Sequence, residues 1–317
     1  MELRQLRTLD AVARTMSFTK AARELHFAQS TVSEQIQNLE RELGTQLFDR
    51  SNRRLALTDE GRALSEYAGR IIALSDEAQR AVTRGTLAAP QLSVGALETL
   101  SAHRLPTVLA RYRTTHPNVR VSLKRGNRGQ LYTAVSRSQL HMCLTFGPAP
   151  ASFGLKSAAL SREPLVVITP VGHELSTLSS APIGRLLAEP FLVTAPGCGF
   201  REMYDYMLAT LGGVGSRPSP AAEPVLELDS IDALIACVAG GMGCALLPRV
   251  AVLDAAQHGH VAVLDIADQN LDVPVTLSWL DNGPTHPHVT AFEAELACEF
   301  TAVDNAPESP GRSGTRL

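Results

Sequence analysis

The sequence lacks the residues that would build a disulfide framework, a structural zinc site or a membrane span. Its five cysteines are an odd number, lie far apart and include no pair at CxxC spacing. The first ten residues, MELRQLRTLD, contain no signal-peptide hydrophobic region. The uncharged run from residue 233 to 248 has 16 residues and three glycines, whereas a membrane helix needs about 20 apolar residues. We expect a cytoplasmic protein with no metal, no cofactor and no membrane partner.

Signatures of the common enzyme classes are also missing. The chain has no GxSxG, HExxH, Walker or GxGxxG motif, and no set of nucleophile, base and orienting residue can be recognised. An enzyme is the rival hypothesis to consider, but these missing motifs argue against it, and we expect that the protein is not an enzyme. The net charge is −3, so no overall field attracts nucleic acid and any DNA contact must come from a local arrangement.

What the sequence does contain is, first, a series of short amphipathic helices. The stretch AARELHFAQSTVSEQIQNLE, residues 21 to 40, keeps helical apolar spacing except at HFAQS. Ser17 and Ser30 are suitable N-caps for the second and third helices, and Gly44 is suited to end the third. The interruption is either a bend between packed helices or the turn of a helix-turn-helix, and both interpretations are open at this point.

The exposed face of the third helix favours the second interpretation. It carries short hydroxyl and amide side chains in place of the usual mixture of Lys and Glu, and such groups can read base edges in the major groove. These residues are Thr31, Ser33, Glu34, Gln35 and Asn38. Arg50, Arg53 and Arg54 then precede the strand-like LALT, and a hairpin with arginines at its tip could reach phosphates or a minor groove. The alternative for these arginines is an ordinary solvated turn.

Residues 1 to about 65 resemble the winged helix-turn-helix of LysR-type transcriptional regulators. The resemblance is carried by SFTKAARELHFAQSTVSEQIQNLERELGTQLFDR and the closing LTDEG, which match without a gap. It implies that Gln29, Ser30, Thr31 and Ser33 meet bases or phosphates and that Arg53 contacts the minor groove. Glu34 departs from the family, which often places a basic or amide residue there. A carboxylate at this position would repel phosphate or accept from cytosine N4.

A long helix is predicted from Thr58 to about Gly85. Thr58 is suited to cap it, and Asp59 and Glu60 suit its first turn. An apolar seam at steps of three and four is typical of a helix that pairs with another, although packing on its own domain is the alternative. The seam comprises Leu64, Ala68, Ile71, Leu74, Ala78 and Val82. The resemblance implies a dimer, which would place two heads on two half-sites of an imperfect palindrome.

Residues 91 to about 300 alternate short apolar strands with helices, which predicts an α/β fold with a parallel sheet. Three strand-to-helix junctions could line a ligand cleft, although each could also be ordinary helix capping. They are LETLS with Thr99 and Ser101, TAPGCGFRE with the amides of residues 197 to 200, and LELDSIDAL with Ser230.

This second half resembles the effector-binding part of the same family, a periplasmic-binding-protein-like pair of α/β subdomains. The runs PLVVITPVGHEL, PFLVTAPGCGFRE and ELDSIDALIACVAGGMGCALLP carry the resemblance. It implies a cleft for a small, polar or anionic effector, lined by Thr99, Leu100, Arg128, Thr145, Phe146, Gly197, Cys198, Phe200 and Ser230. A redox role for Cys198 is a weaker alternative, because no resolving cysteine follows closely. His141 is interpreted as structural.

The prediction is therefore a regulator with a winged helix-turn-helix in residues 1–58 and a linker helix and hinge in 59–90. The effector domain covers 91–300, with one subdomain formed by 91–162 and 268–300 and the other by 163–267. Residues 301–317, rich in Pro, Ser and Gly, are expected to be disordered. The resemblance implies four partners, which are double-stranded promoter DNA, a small-molecule effector, RNA polymerase and further copies of the chain. It also implies that the chains form a dimer and that the dimers form a tetramer.

Overall fold

The computed structural model describes residues 1–50, 55–83, 89–195, 199–211, 224–268, 271–281 and 286–304. The chain begins with three helices, α1 (Leu3–Thr15), α2 (Phe18–Leu25) and α3 (Gln29–Leu43). Their apolar faces meet in one core around Leu9, Val32 and Ile36, all fully buried. Ser17 caps α2 by accepting a hydrogen bond from the amide of Lys20, and Gly44 ends α3 in a left-handed conformation, both as predicted.

The turn between α2 and α3 is shorter than the sequence suggested. His26 ends α2 in the left-handed region, with φ of 56°, and the extended Ala28 is the N-cap of α3 without a side-chain hydrogen bond. The prediction that Ser30 caps α3 is wrong, because the helix has already begun at Gln29. The interruption is thus three residues long, and Gln29 and Ser30 belong to the first turn of α3.

Strands β1 (Phe48–Asp49) and β2 (Ala56–Leu57) pair antiparallel and form the wing beside α3. Glu40 fastens the wing to α3. One carboxylate oxygen accepts from the backbone amides of Leu47 and Phe48, at 2.9 and 3.3 Å. The other oxygen lies 3.1 Å from the guanidinium of Arg50. A single side chain therefore satisfies the backbone where the chain turns from helix into wing.

Replacing Glu40 with Ala should destabilise the head by about 2 kcal/mol, because two backbone amides lose their acceptor. The measurement is thermal unfolding of the full chain. Glu34→Ala is the matched control, since Glu34 lies on the same helix with its side chain exposed. Equal loss of stability in both variants would contradict the role assigned to Glu40.

Helix α4 (Asp59–Thr83) follows the wing and is 25 residues long, about 37 Å at the usual rise per residue. Thr58 caps it as predicted, accepting a hydrogen bond from the amide of Gly61 at 2.9 Å. The predicted seam is divided. Leu64 and Ala68 pack into the core of the head, whereas Leu74 and Val82 are 61% and 82% exposed. Packing on its own domain is therefore confirmed for the first half of the seam, and the second half is left exposed, where pairing with another helix stays a prediction.

The remaining elements form the second half of the molecule. They are β3 (Gln91–Ala96), α5 (Glu98–His103), α6 (Leu105–Thr115), β4 (Arg120–Arg125), α7 (Arg128–Ser136), β5 (Met142–Phe146), β6 (Leu155–Pro170), β7 (Ser180–Ala181), α8 (Ile183–Leu186), β8 (Leu192–Thr194), α9 (Gly199–Leu211), β9 (Leu226–Leu228), α10 (Ile231–Ala239), β10 (Ala245–Pro248), α11 (Arg249–Gln257), β11 (Val261–Ile266), β12 (Asp272–Leu280) and α12 (Pro287–Asp304).

These strands form two subdomains joined through β6. In the first, β4, β3 and β5 are parallel neighbours, and β12 lies antiparallel between β5 and β6. The end of β6 enters the second subdomain, where it pairs antiparallel with β10 and β11. There β7 lies parallel to β11, and β8 lies parallel to β9. The prediction of a parallel sheet is right for β3, β4 and β5 and wrong at the centre, where β12 pairs antiparallel with both β5 and β6, and β6 pairs antiparallel with β10 and β11.

A buried ion pair sits where β6 passes between the subdomains. Glu163 is 1% exposed and pairs with Arg104, at the junction of α5 and α6. Its other oxygen accepts from the backbone amide of Val250, at 2.9 Å, in the first turn of α11. A carboxylate this deeply buried needs both a countercharge and hydrogen-bond donors. Here Arg104 comes from the first subdomain and the amide from the second.

Two further expectations concern the whole chain. Within the described ranges, no helix combines the length and the apolar character needed to cross a membrane. Helix α12 continues to Asp304, so the boundary predicted at residue 300 falls inside it. The rest of the predicted tail, residues 305–317, lies outside the described residues.

Candidate functional site

The outer face of α3 is defined by the residues opposite its buried side. Val32, Ile36 and Leu39 face the core. At the helical repeat, the opposite side carries Ser30, Glu34, Gln37 and Arg41, all exposed. Gln29 is also exposed, and Thr31, Ser33 and Asn38 lie half-buried on the flanks. Gln37 and Arg41 were not among the predicted DNA contacts, although their spacing of three and seven residues from Glu34 could have identified them.

Gln35 does not share this outer face. Its amide lies 2.5 Å from the hydroxyl of the fully buried Thr8 on α1. With the amide nitrogen turned toward Thr8, the amide oxygen accepts from the guanidinium of Arg4 at 2.9 Å. Gln35 therefore joins α3 to α1, and its side chain points away from where DNA would lie. Asn38 is held more locally, since its oxygen accepts from Arg41 at 2.8 Å.

The structure describes one of the three wing arginines. The guanidinium of Arg50 lies over the ring of Phe18, 5.3 Å from its centroid, and pairs with Glu40. Arg50 is therefore anchored to the head itself. Arg53 and Arg54 lie outside the described residues.

The cleft between the subdomains is closed by an aromatic contact. Phe146, at the end of β5, and Phe200, in the first turn of α9, lie with ring centroids 5.1 Å apart. Both rings are buried, as are Thr99 and Leu100 in the first turn of α5. Two residues predicted for the effector site, Phe146 and Phe200, therefore meet at the boundary of the two subdomains.

Two buried hydroxyls of the effector domain, one in each subdomain, have no hydrogen-bond partner in the described part of the chain. They are Ser101, on α5 of the first subdomain, and Thr194, at the end of β8 in the second. Leaving a buried hydroxyl unpaired costs about 1–3 kcal/mol, so unpaired groups mark a place where a polar ligand would be favoured. Thr194 was not among the predicted site residues, although it is the first residue of the predicted junction TAPGCGFRE.

Thr145 is adjacent to Phe146 but faces the opposite side of the sheet. Its hydroxyl lies 2.9 Å from the Tyr132 hydroxyl and donates to the carbonyl of Gly147 at 3.1 Å. Alternation along β5 gives the reason, because consecutive residues of a strand point to opposite faces. Thr145 thus supports α7, through Tyr132, and does not share the face that Phe146 presents to Phe200.

Arg128 lies at the rim of the boundary, in the first turn of α7. It bridges the two subdomains through Glu202 of α9, at 2.8 Å, and its guanidinium carbon lies 6.0 Å from the Tyr132 ring centroid. Burial lowers the pKa of Arg128, but the hydrogen bond to Tyr132 and the charge of Glu202 outweigh it and raise the pKa overall. Its Nε is buried without a partner among the described residues.

A groove of about 390 Å³ opens beside this ion pair. It is lined by Arg128, Gly129, Tyr132, Pro150, Phe153 and Glu202, which combine one cation, one anion and two aromatic rings. The groove therefore offers charge and apolar surface together at the edge of the closed boundary.

The other predicted site residues have simpler roles or are not described. Ser230 is exposed and caps α10, accepting from the amide of Ala233 at 3.3 Å. Gly197 and Cys198 lie outside the described residues. His141 accepts from the amide of Ser93 at 2.9 Å, which supports its structural interpretation.

Burial raises the pKa of the Cys143 and Cys244 thiols to about 12, so these two remain protonated near neutral pH.

A helix-turn-helix head with a wing, joined by a long helix to a two-subdomain α/β cleft, defines a transcriptional regulator that responds to a ligand. Two family models match the chain. "Bacterial regulatory helix-turn-helix protein, lysR family" matches residues 3–62, and "LysR substrate binding domain" matches residues 85–301. The chain belongs to the LysR family of DNA-binding transcriptional regulators, and it is a regulator and not an enzyme.

Individual regulators and solved structures are similar to this chain. The regulator YusT of Bacillus subtilis is 34% identical over 273 residues, covering 84% of this chain and 86% of YusT. Full-length CbnR complexed with target DNA has a TM-score of 0.60 at 23% identity, covering 94% of this chain and all of CbnR. The effector-binding domain of QuiR, in complex with shikimate, has a TM-score of 0.59 at 17% identity, covering 67% of this chain and 97% of QuiR.

Gln37 lies on the outer face of α3, whereas Gln35 contacts Thr8 on α1. Replacing each with alanine should therefore affect different properties, DNA binding for Gln37 and stability for Gln35. Gln37→Ala should reduce the preference for specific over random DNA, at about 1–3 kcal/mol per lost base contact, and leave stability unchanged. Gln35→Ala should lower the melting temperature, because the buried Thr8 hydroxyl loses its partner. Gel shifts and thermal unfolding of the full chain measure the two effects. If Gln35→Ala alone weakens DNA preference, the assignment of the outer face is wrong.

Proposed function

We propose that this LysR-type regulator controls transcription in response to a small anionic effector held between its two subdomains. The observation that carries the proposal is the bridging of Arg128 and Glu202 across the subdomain boundary. Each subdomain also holds one buried hydroxyl, Ser101 or Thr194, without a partner in the described part of the chain. Binding there would change the closure of the subdomains, because each contributes groups to the same place. Effector and DNA would then influence each other's affinity reciprocally.

The residues around the boundary support an anion that also carries an apolar portion. A carboxylate can accept two hydrogen bonds from one guanidinium, and among the described residues Arg128 pairs with one carboxylate, that of Glu202. An effector carboxylate would compete with Glu202 for Arg128. The rings of Tyr132 and Phe153, 5.3 Å apart, would pack against its apolar part, and Ser101 and Thr194 would hydrogen-bond its polar groups.

The proposed DNA contacts divide between the helix and the wing. Gln29, Ser30, Thr31, Ser33, Glu34 and Asn38 remain proposed contacts of α3, now together with Gln37 and Arg41. Arg53 and Arg54 are proposed contacts of the wing, and Arg50 would support it from the head. Ser230, Gly197 and Cys198 remain proposed effector contacts, while Thr145 would act only indirectly through Tyr132.

The exposed half of α4 supports pairing with a second copy of the chain. Leu74 and Val82 present apolar surface to solvent, which favours pairing with a second copy. A dimer would place two heads on an imperfect palindrome, and we propose that dimers assemble into a tetramer and contact RNA polymerase. We propose the division 1–58 for the head, 59–90 for the linker and 91–304 for the effector domain, with the subdomains exchanging near residues 163 and 268.

DNA binding is tested by gel shift with the purified full chain and the duplex upstream of its own gene, at moderate salt. We expect a clear preference for this duplex over random DNA of equal length. We propose that the chain binds specifically to this upstream DNA, and lack of preference would overturn that proposal.

Effector binding is tested by thermal stabilisation of the full chain against a panel of small carboxylates. A carboxylate that stabilises the wild type should bind at least about tenfold more weakly to Arg128→Ala, because a charge-assisted hydrogen bond contributes roughly 1.5–3 kcal/mol. Arg125→Ala is the control, since Arg125 pairs with Glu98 on the exposed side of the first subdomain. Arg53→Ala should weaken DNA binding and leave carboxylate binding intact, and the reverse pattern would overturn both assignments.

A further inference from the structure

A direct contact joins the effector domain to the DNA-binding head. Arg137, the C-cap of α7, lies 2.9 Å from the carboxylate of Asp10 on α1. It also donates to the hydroxyl of Ser65 on α4 at 3.3 Å. The side chains of Arg137 and Asp10 are only 14% and 20% exposed, and Ser65 is buried. The contact is therefore a partly desolvated ion pair between domains, stronger than an exposed surface pair.

Gly69 shows how closely the two domains approach. It lies in the interior of α4, where glycine costs about 1 kcal/mol relative to alanine. A Cβ at this position would lie 2.8 Å from both Cβ and Cγ of Arg137 and 3.2 Å from its Cα. These atoms are the base of the Arg137 side chain and cannot swing away. A side chain at residue 69 is thus incompatible with the contact, which explains a glycine in the middle of a long helix.

The other end of the same short helix carries Arg128. Helix α7 has nine residues, about 13 Å in length, and an Asn127 capping box fixes its start. Four of its residues are buried against the first subdomain. One end of α7 therefore meets Glu202 of the second subdomain, and the other end meets the head.

Phe153 provides a parallel connection. It lines the groove beside Arg128 and Glu202. It also lines a second cavity of about 160 Å³, which Glu66, Tyr67 and Arg70 of α4 close from the side of the linker helix. The space next to the subdomain boundary and the space next to α4 thus share one aromatic wall.

We propose that Arg137 transmits the state of the subdomain boundary to the DNA-binding head, with α7 as the rigid connection between Glu202 and Asp10. This inference rests on the proposed effector control and specifies how it reaches the head. Displacement of Glu202 from Arg128 releases α7 from the second subdomain and lets the helix shift as a unit. The movement then alters the contact of Arg137 with α1 and α4.

Hydrogen exchange of the full chain, without DNA or effector, tests the connection. Glu202→Arg places a like charge against Arg128 and mimics displacement of the carboxylate. We expect amide exchange at residues 65–69 to rise about threefold or more, the effect of losing one modest hydrogen bond. In the Arg137→Ala background, Glu202→Arg should produce no further rise. Glu98→Arg is the control, because it breaks the exposed pair with Arg125 and should leave residues 65–69 unchanged.

An equal response to Glu202→Arg with and without Arg137 would overturn the proposal, and so would the absence of any response. Because the measurement needs no DNA, its failure is distinct from the failure of the gel shift that tests regulation.

Gly69→Ala provides an independent variant with opposite expectations. If the domains touch as described, the added methyl separates them, exchange at residues 65–69 rises, and the response to Glu202→Arg disappears. If they do not touch, alanine strengthens the helix and exchange falls, which would overturn the proposal. Gly184→Ala is the control, because a Cβ there meets no atom within 4 Å.

Discussion

The structure of the effector domain depends on the passage of one strand, β6, through both subdomains. Of its 16 residues, 155–164 lie along β12 and 165–170 pair with β10 and β11. The two subdomains therefore cannot separate, and they can change only their relative angle. Glu163 lies at the change of partners and is bonded from both sides. A buried carboxylate without its partners is strongly unfavourable, so the range of angles is limited by the need to keep Arg104 and the α11 amide in reach.

The head depends on a similar arrangement on a smaller scale. Glu40 holds the start of the wing to α3, while Gln35 holds α3 to α1. The surface that would face DNA carries exposed residues that do not hold the head together, such as Gln37 and Glu34. Polar side chains of one short helix are thus divided between those that assemble the head and those that remain available for recognition.

Much of this could be predicted from the sequence, because the relevant signals are local. Helical periodicity and caps located α1, α2 and α4, and the family resemblance named Phe146 and Phe200, which meet across the subdomain boundary. The errors arose where the outcome depends on tertiary contacts. Ser30 is a good capping residue, but the chain enters α3 at Ala28. Gln35 has the composition of an outer-face residue, but a buried hydroxyl on α1 engages it. The centre of the sheet was missed because antiparallel crossing by β6 and β12 depends on partners distant in sequence.

The divided seam of α4 has a consequence for how the heads are oriented. Leu64 and Ala68 fix the helix to its own head, while Leu74 and Val82 are exposed about two and four turns after Ala68. In the proposed dimer, the phase between these two sets of residues sets the angle at which each head leaves the pair. One residue inserted between them would turn the head by about 100° around the helix axis. The length of α4 would thus determine how far apart two DNA half-sites must lie for both heads of the proposed dimer to bind, independently of any base contact.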